Sequence, residues 1–152
     1  MATADEIYSE HAVDLVRFAT VLVGRDDAND VVSSAVLRVL DRGFHGIKNP
    51  RAYLFRAVSN EARNFKRGEA RRRRREEQSH AVEVTYVPEP HPEVQAAVLH
   101  LSVRQRAVVY LSYWEDMADK DIAQHLGIGA GSVRRHLARA RNHLRRTLDE
   151  DR

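Results

Sequence analysis

DKDIAQHLGIGAGSVRRHLARARNHLRRTL, residues 119–148, is the stretch that decides the fold. Apolar residues at helical spacing predict two helices, the first stopped by Gly127 and the second opening after Gly129, with Ile128 filling the corner. A small Ala123 where the helices cross, a glycine free to turn left-handed, and Val133 packing back ten residues later are typical of a helix-turn-helix. We therefore predict that motif here.

The second helix of the motif carries basic residues on the part of its surface that lies outside the apolar stripe. Lysine and arginine number seven in these 30 residues, against two aspartates. Such a helix brings its first turn to base edges in the DNA major groove, while flanking cations neutralise phosphates. A solvated charged face is the alternative reading of the same pattern. The candidate DNA-contacting residues are Ser132, Arg134, Arg135, His136, Arg139, Arg145 and Arg146.

Length and composition limit the number of domains and the class of protein. Its 152 residues are 43% hydrophobic, which allows one domain or two small ones, and the net charge is +3. The absence of cysteine excludes disulfides and thiolate metal sites and fits a reducing compartment. The start, MATADEIYSEH, has no signal-peptide pattern, and no long apolar run follows it. A soluble, unexported, cytoplasmic protein is expected.

The first 43 residues predict two helices. Thr3 and Glu6 can form a capping box that opens the first helix, and its apolar stripe ends at Gly24. Asp26 or Asp27 can cap the second helix, which Gly43 closes after an apolar stripe from Val31 to Leu40.

A third helix is predicted from about Arg51 to Lys66. Asn49 is a good N-cap, and Pro50 suits the first helical position. Tyr53 is expected to pack in the core, whereas Phe55 and Arg56 fit the core and a nucleic-acid surface equally well. The residues expected to face inward are Leu54, Ala57, Val58, Ala62 and Phe65.

Residues 68–91 show little of the apolar periodicity of the preceding helices and are predicted to form a flexible linker. They hold five consecutive arginines, then acids, then a Pro-Glu-Pro stretch. The first third can be helical, because arginine and glutamate side chains there can pair. The arginine run is either a solvated charge block or a phosphate contact, and the sequence leaves both open.

Residues 92–152 predict a second helical domain. A short helix begins at Pro92, and a capping box of Ser102 and Gln105 opens the next helix. The inward residues of that helix are expected to be Val103, Ala107, Val108, Leu111 and Trp114. The helix-turn-helix completes four helices, and no segment shows sustained strand alternation. The predicted fold class is therefore all-α, with a three-helix domain at 1–67, the linker at 68–91 and a four-helix domain at 92–152.

Three segments in this order resemble the small two-domain bacterial sigma factors of the extracytoplasmic-function (ECF) class. DANDVVSSAVLRVL (27–40) is similar to the polymerase-binding helix, NPRAYLFRAVSNEARNFKR (49–67) to the promoter-melting helix, and residues 101–148 to the domain that reads the upstream promoter element. The resemblance implies a transcription initiation subunit that docks on core RNA polymerase, opens the −10 element and reads the −35 element of double-stranded promoter DNA. The family is commonly held by an anti-sigma factor.

The resemblance also implies two further sets of contact residues. Opening a duplex requires flat side chains for stacking, amides for hydrogen bonds and cations for the strand, and the helix at 49–67 carries all three. Ser33 stands where the family usually has glutamine. The set for the melted −10 strand is Arg56, Asn60, Arg63, Asn64, Phe65, Lys66 and Arg67. The set for polymerase is Asn29, Asp30, Ser33, Ser34, Leu37 and Arg38.

An intrinsic enzymatic activity is not expected, and neither is a cofactor or a bound metal. The chain has no HExxH, no glycine-rich phosphate loop followed by lysine, and no cysteine nucleophile. His136 and His143, seven residues apart, are expected on the surface. The alternative function is a helix-turn-helix regulator of sigma-like architecture that does not initiate transcription. Such a regulator binds duplex DNA tightly alone, whereas a sigma subunit binds it weakly until core polymerase is added.

Overall fold

The computed structural model describes residues 3–75 and 92–150, and within these ranges the chain is helical with no strand. The all-α prediction is confirmed. Residues 76–91, which contain most of the predicted linker, lie outside the described part of the chain. The helices are α1 (Ala4–Val23), α2 (Arg25–Arg42), α3 (Pro50–Arg75), α4 (Pro92–Leu99), α5 (Val103–Val109), a π-helical turn (Tyr110–Trp114), α6 (Asp119–Leu126) and α7 (Ala130–Glu150).

Side-chain caps set three helix starts where the sequence predicts them. The Thr3 hydroxyl accepts from the Glu6 amide at 3.2 Å, while the Glu6 carboxylate accepts from the Thr3 amide at 3.1 Å. Ser102 and Gln105 form the same reciprocal pair before α5, with both distances 3.1 Å. The Asn49 side-chain oxygen accepts from the Ala52 amide at 3.0 Å. Each cap satisfies amides that have no partner within the helix.

The predicted aspartate cap of α2 is wrong. Gly24 is the C-cap of α1 and the N-cap of α2 at once, with φ 94°. Because glycine adopts positive φ without a steric penalty, one residue suffices to reverse the chain. Asp26 and Asp27 instead lie in the first turn of α2, where negative charge is favourable near the helix N-terminus.

Helix α3 continues past its predicted end near residue 66 as far as Arg75. Gly68 does not stop the helix, although glycine in a helix interior costs about 1 kcal/mol relative to alanine. A Lys66–Glu69 ion pair of 3.2 Å spans this position. The first third of the segment 68–91 is thus helical, as the charge pattern suggested, and α3 becomes a 26-residue rod about 39 Å long.

The first three helices pack around large apolar residues. Phe18 of α1 and Phe55 of α3 are both fully buried, with ring centroids 4.9 Å apart. Phe55 is therefore a core residue, and it is unavailable for base stacking. Tyr53, expected in the core, is half-buried and packs edge-on against Phe44 with centroids 6.0 Å apart.

The helix-turn-helix is confirmed in the second half of the chain. Gly127 ends α6 in the left-handed conformation, with φ 68° and ψ 36°. The Ile128 amide then donates to the Ala123 carbonyl at 3.1 Å, which closes the turn. Ile122, Leu126 and Val133 are buried and hold α6 against α7.

Trp114, predicted to face inward, is 73% exposed. The prediction fails because Tyr110–Trp114 is a π-helical turn, whose wider winding moves the following side chains off the α-helical stripe. The indole stacks on the ring of Tyr110 instead, with centroids 6.4 Å apart and an interplanar angle of 14°.

Helices α5 and α6 pack directly against α1 and α3, so the two halves of the chain share one continuous core. The rings of Phe18 and Tyr110 meet across the junction at 5.7 Å, and those of Phe55 and His125 at 5.6 Å. The Arg106 guanidinium donates to the Leu22 carbonyl at 2.7 Å. The first helix of the DNA-binding motif therefore lies against α3.

Candidate nucleic-acid and polymerase interfaces

Helix α7 presents its arginines on the side opposite its buried stripe. Val133, Leu137 and Ala140 are buried against the core, whereas Arg134 and Arg135 are exposed within the first two turns. Arg135 Nη2 donates to the hydroxyl of the half-buried Ser132 at 3.0 Å. This contact orients one guanidinium at the end of the helix that enters a major groove in helix-turn-helix proteins.

The remaining cations of α7 extend well beyond that end. Arg139, Arg145 and Arg146 are all exposed. Arg145 follows Arg134 by eleven residues, which places it about 16 Å further along the helix axis. This separation exceeds the width of the DNA major groove, which is about 12 Å.

His136 is half-buried among arginines. Burial lowers its pKa first, and the neighbouring cations of Arg104, Arg139, Arg135 and Arg63 lower it further. Its Nδ1 is buried and has no hydrogen-bond partner among the described residues. At neutral pH the ring is therefore uncharged.

The polar face of α3 carries the residues suggested for the melted strand. Arg56, Asn60, Asn64 and Arg67 are exposed, and Arg63 and Lys66 are half-buried. Several of them line a groove of about 510 Å³ between α2 and α3, together with Arg38, Arg42 and Tyr53. Phe65 is half-buried and packs against the core, so only part of its ring is open to a partner.

The outer stripe of α2 contains every residue suggested for polymerase contact. Val31, Val32 and Val39 are buried on the opposite side of the helix. Leu37 is an apolar side chain within this polar stripe, and it is 63% exposed. Arg38 forms a 3.1 Å ion pair with Glu61 of α3. The exposed set is Asn29, Asp30, Ser33, Ser34, Leu37 and Arg38.

Sequence reasoning missed a charged cluster at the junction of the two halves. Arg51 Nη2 lies 3.4 Å from the Asp14 carboxylate and 3.2 Å from that of Glu115. Its Nη1 lies 3.4 Å from His125 Nε2, and its guanidinium carbon is 4.5 Å from the centroid of the Phe55 ring. The four polar residues come from distant parts of the sequence, so no local pattern indicates the cluster.

The contacts of His125 define its tautomer. Its Nδ1 lies 2.8 Å from the Asp121 carbonyl, which only a protonated nitrogen can approach as a donor. In the neutral ring Nε2 is then the acceptor for Arg51. Burial lowers the pKa of His125, and Arg51 lowers it further, against the opposing effects of the Asp121 carbonyl and nearby carboxylates.

Arg106 is a buried cation that the sequence does not reveal. Its guanidinium donates to the carbonyls of Leu101 at 3.1 Å, Leu22 at 2.7 Å and Leu99 at 3.2 Å. Burial lowers its pKa, but three carbonyl acceptors compensate for the lost hydration. Arg106 thus ties the end of α1 to the start of α5.

Two other kinds of site do not occur in the described ranges. No helix there is long and apolar enough to cross a membrane. No group of three or more histidine, cysteine, aspartate or glutamate side chains is placed to hold a metal ion in residues 3–75 and 92–150.

Within the described ranges, the all-helical fold with a basic helix-turn-helix, a polar α3 and an exposed α2 stripe has the architecture of a DNA-binding protein. The family described as Sigma-70 region 2 matches residues 7–72, and Sigma-70, region 4 matches residues 91–144. The chain belongs to the sigma-70 family and is an ECF-type transcription initiation factor.

Relatives of the chain carry corresponding names. It is 33% identical over 129 residues to the RNA polymerase sigma-E factor of Streptomyces antibioticus, covering 81% of this chain and 71% of the relative. It is 33% identical over 159 residues to the ECF RNA polymerase sigma factor SigL of Mycobacterium tuberculosis, covering 95% of this chain and 88% of the relative.

Two solved structures share the fold. The sigma factor RpoE from Bartonella quintana, in complex with the anti-sigma factor NepR, superposes with a TM-score of 0.73 at 24% identity over 97% of this chain and 99% of its own. CnrH, in complex with the cytosolic domain of CnrY, superposes with a TM-score of 0.63 at 22% identity over 98% of this chain and 89% of its own.

Proposed function

We propose that three helices divide the work of promoter recognition. The first turns of α7 read the −35 element, the polar face of α3 holds the melted −10 strand, and the outer stripe of α2 docks on core RNA polymerase. The observation that carries the proposal is the exposure of Arg134 and Arg135 beside the buried Val133 of a helix-turn-helix. The groove between α2 and α3 supports the second role, since amides and cations line it.

Base reading by α7 predicts a contrast between its two ends. Arg134→Ala or Arg135→Ala is expected to lose about 1 to 3 kcal/mol of binding at a preferred −35 sequence and to relax discrimination there, because base-edge hydrogen bonds are lost. Arg145→Ala and Arg146→Ala, about 16 Å away along the helix, are expected to weaken all sequences evenly and to reduce the salt dependence. Binding of the holoenzyme to a library of −35 sequences measures both effects. An equal loss on every sequence for all four variants contradicts the assignment.

Polymerase docking by α2 predicts a role for its exposed leucine. Leu37→Asp is expected to weaken binding to core polymerase at least about tenfold, because a charge would be buried without a partner at the interface. Val13→Asp is the matched control, since Val13 is 65% exposed on α1 and lies outside the proposed stripe. Fluorescence anisotropy of labelled sigma with core enzyme gives the affinities. Equal affinity for both variants would place the polymerase contact elsewhere.

Run-off transcription with core polymerase tests the function as a whole. The chain is expected to bind promoter duplex weakly alone and to support specific initiation once core enzyme is present. Tight binding to duplex without core enzyme, and no transcript with it, would indicate the regulator alternative. In the proposed role the chain acts in the cytoplasm as a specificity subunit, and the chemistry of RNA synthesis belongs to the polymerase.

An anti-sigma factor is the further partner that we propose. The superposed sigma factor RpoE was solved in complex with the anti-sigma factor NepR, and the superposition covers 97% of this chain. A partner of this kind would compete with core polymerase, so co-purified anti-sigma protein is expected to suppress run-off transcription in proportion to its occupancy.

A further inference from the structure

Basic side chains of three helices lie close together where the first half (residues 3–75) meets the second half (residues 92–150). Burial lowers the pKa of Arg104 on α5 and of His136 on α7, and the charge of Arg63 on α3 lowers both further. Arg63 is therefore close to both of the other helices. The residues of this cation cluster are Arg63, Arg67, Arg104, Arg135, His136 and Arg139.

The cation cluster has no acidic partner among the described residues. Every charged neighbour that shifts the pKa of Arg104 or His136 is a cation, and burial acts on both groups in the same direction. The acids of α3 pair elsewhere, Glu61 with Arg38 and Glu69 with Lys66. Cations that are partly withdrawn from water repel one another, and a bound anion would remove this cost.

Two nitrogen atoms of the cation cluster are buried without a hydrogen-bond partner in the described part of the chain. They are Nε of Arg104 and Nδ1 of His136. Because buried polar atoms in folded proteins nearly always have a partner, two such nitrogens in one cluster indicate a ligand that supplies acceptors. Arg104 and His136 as whole side chains are only half-buried, so a ligand can approach them from the open side.

We propose that the cation cluster is a binding site for an oligophosphate, an anion with several phosphate groups in one chain. Cations on three different helices require more than one charged group in the ligand. Arginine suits phosphate, because its planar guanidinium donates two parallel hydrogen bonds to a pair of oxygens. The phosphates of a DNA duplex lie on the outside of a wide rod, which cannot follow a small ligand between helices. Inorganic oligophosphate and the phosphate chain of a nucleotide share the required chemistry.

Arg104 distinguishes this site from the surfaces proposed for DNA. Arg63 and Arg67 belong to the set suggested for the −10 strand, and the α7 members of the cluster belong to the set suggested for the −35 element. Arg104 lies on α5 and belongs to neither set. A bound oligophosphate would occupy Arg63 and Arg135 and exclude promoter DNA from them. This last consequence rests on the proposed function, whereas the site itself does not.

Titration of the full chain with sodium tripolyphosphate tests the site directly. Calorimetry at constant ionic strength is expected to show saturable binding of one ligand per chain. At about 100 times the Kd, the ligand is expected to raise the midpoint of thermal unfolding by about 5 to 10 °C, because it binds the folded state.

Arg104→Gln is expected to weaken tripolyphosphate binding at least about tenfold, since a charge-assisted hydrogen bond to the ligand is lost. Without ligand, this variant should unfold at no lower temperature than the parent, because one of several like charges is removed. Arg17→Gln is the matched control, since it removes the same charge from an exposed position of α1 and should leave the affinity unchanged. Equal affinity of the two variants would overturn the site.

Other anions define what the site recognises. Tighter binding of ATP than of tripolyphosphate would assign the site to a nucleotide, and the reverse order would assign it to the inorganic chain; both results support the proposal. Orthophosphate that binds as tightly as tripolyphosphate would overturn it, because a single phosphate would then suffice. Binding of duplex DNA without any binding of tripolyphosphate would overturn it as well.

Promoter binding by the holoenzyme, with free Mg²⁺ held constant, provides a second readout. Tripolyphosphate is expected to weaken promoter binding by the parent, and about tenfold more ligand should be needed for the same effect on Arg104→Gln. If calorimetry shows the expected binding but promoter affinity does not change, the oligophosphate site stands. That result would contradict only the DNA contacts proposed for Arg63 and Arg135.

Discussion

Removal of ten residues from the segment between the halves, residues 79–88, is expected to abolish initiation at normally spaced promoters. Each half should still fold, and the first half should still bind core polymerase, because the deletion touches neither α2 nor the helix-turn-helix. Run-off transcription measures initiation, and binding to core polymerase measured in parallel shows whether the first half still binds its partner.

The expected loss of initiation follows from the maximum distance that residues 68–91 can span. Residues 68–91 would span at most about 80 Å if fully extended. Because α3 holds residues 68–75 in helix, at about 1.5 Å each, the maximum falls to about 65 Å. The roughly 70 Å between promoter elements is then bridged only with the width of the domains added. Ten fewer residues remove about 33 Å, which the domains cannot supply.

A length-matched replacement is the control for the deletion. Exchanging residues 79–88 for ten glycine and serine residues keeps the reach and should keep most of the activity, whereas the deletion should not. A deletion variant that transcribes as well as the parent would show that this segment is not a spacer.

Asn60→Ala combined with Asn64→Ala is expected to slow open-complex formation at least about 30-fold. Each amide is exposed on α3 and is proposed to hydrogen-bond an unstacked base, an interaction that contributes about 1 to 3 kcal/mol. Alanine has a higher helix propensity than asparagine, so the two substitutions should not weaken α3. Permanganate reactivity of the −10 strand measures the melting directly.

A premelted bubble template should restore initiation by this double variant, because the strand no longer has to be opened. Asn142→Ala, an exposed asparagine near the end of α7, is the matched control and should melt promoters normally. Phe65→Ala is a less clean test, since Phe65 is half-buried and its removal also weakens the core. If the double variant loses affinity for core polymerase instead, α3 faces the protein partner and not the DNA.

Local chemistry explains why most helix boundaries follow from the sequence. The capping boxes of Thr3 with Glu6 and of Ser102 with Gln105 involve side chains three residues apart, so their structure is determined within one turn. The left-handed Gly127 and the buried Val133 follow from the same short-range spacing. These features define the starts of α1 and α5 and the helix-turn-helix.

Features that depend on distant residues are not predictable in this way. Phe55 could equally stack on a base or enter the core, and only the approach of Phe18 and His125 shows that it is buried. Arg51 and Arg106 look like ordinary surface cations in sequence, because their partners lie between 5 and 84 residues away. The π-helical turn at Tyr110–Trp114, which leaves Trp114 exposed, has no sequence pattern that distinguishes it from a continuing α-helix.

That turn gives the molecule a native optical probe. Trp114 is the single tryptophan, so the indole emission of the whole chain comes from one ring. It stacks on Tyr110, which contacts Phe18 across the junction and donates its hydroxyl to Glu115. Any movement of Phe18 away from Tyr110, or of Arg51 away from Glu115, would therefore change the surroundings of the indole. Stopped-flow fluorescence of the unlabelled protein can test whether this junction is disturbed on mixing with polymerase.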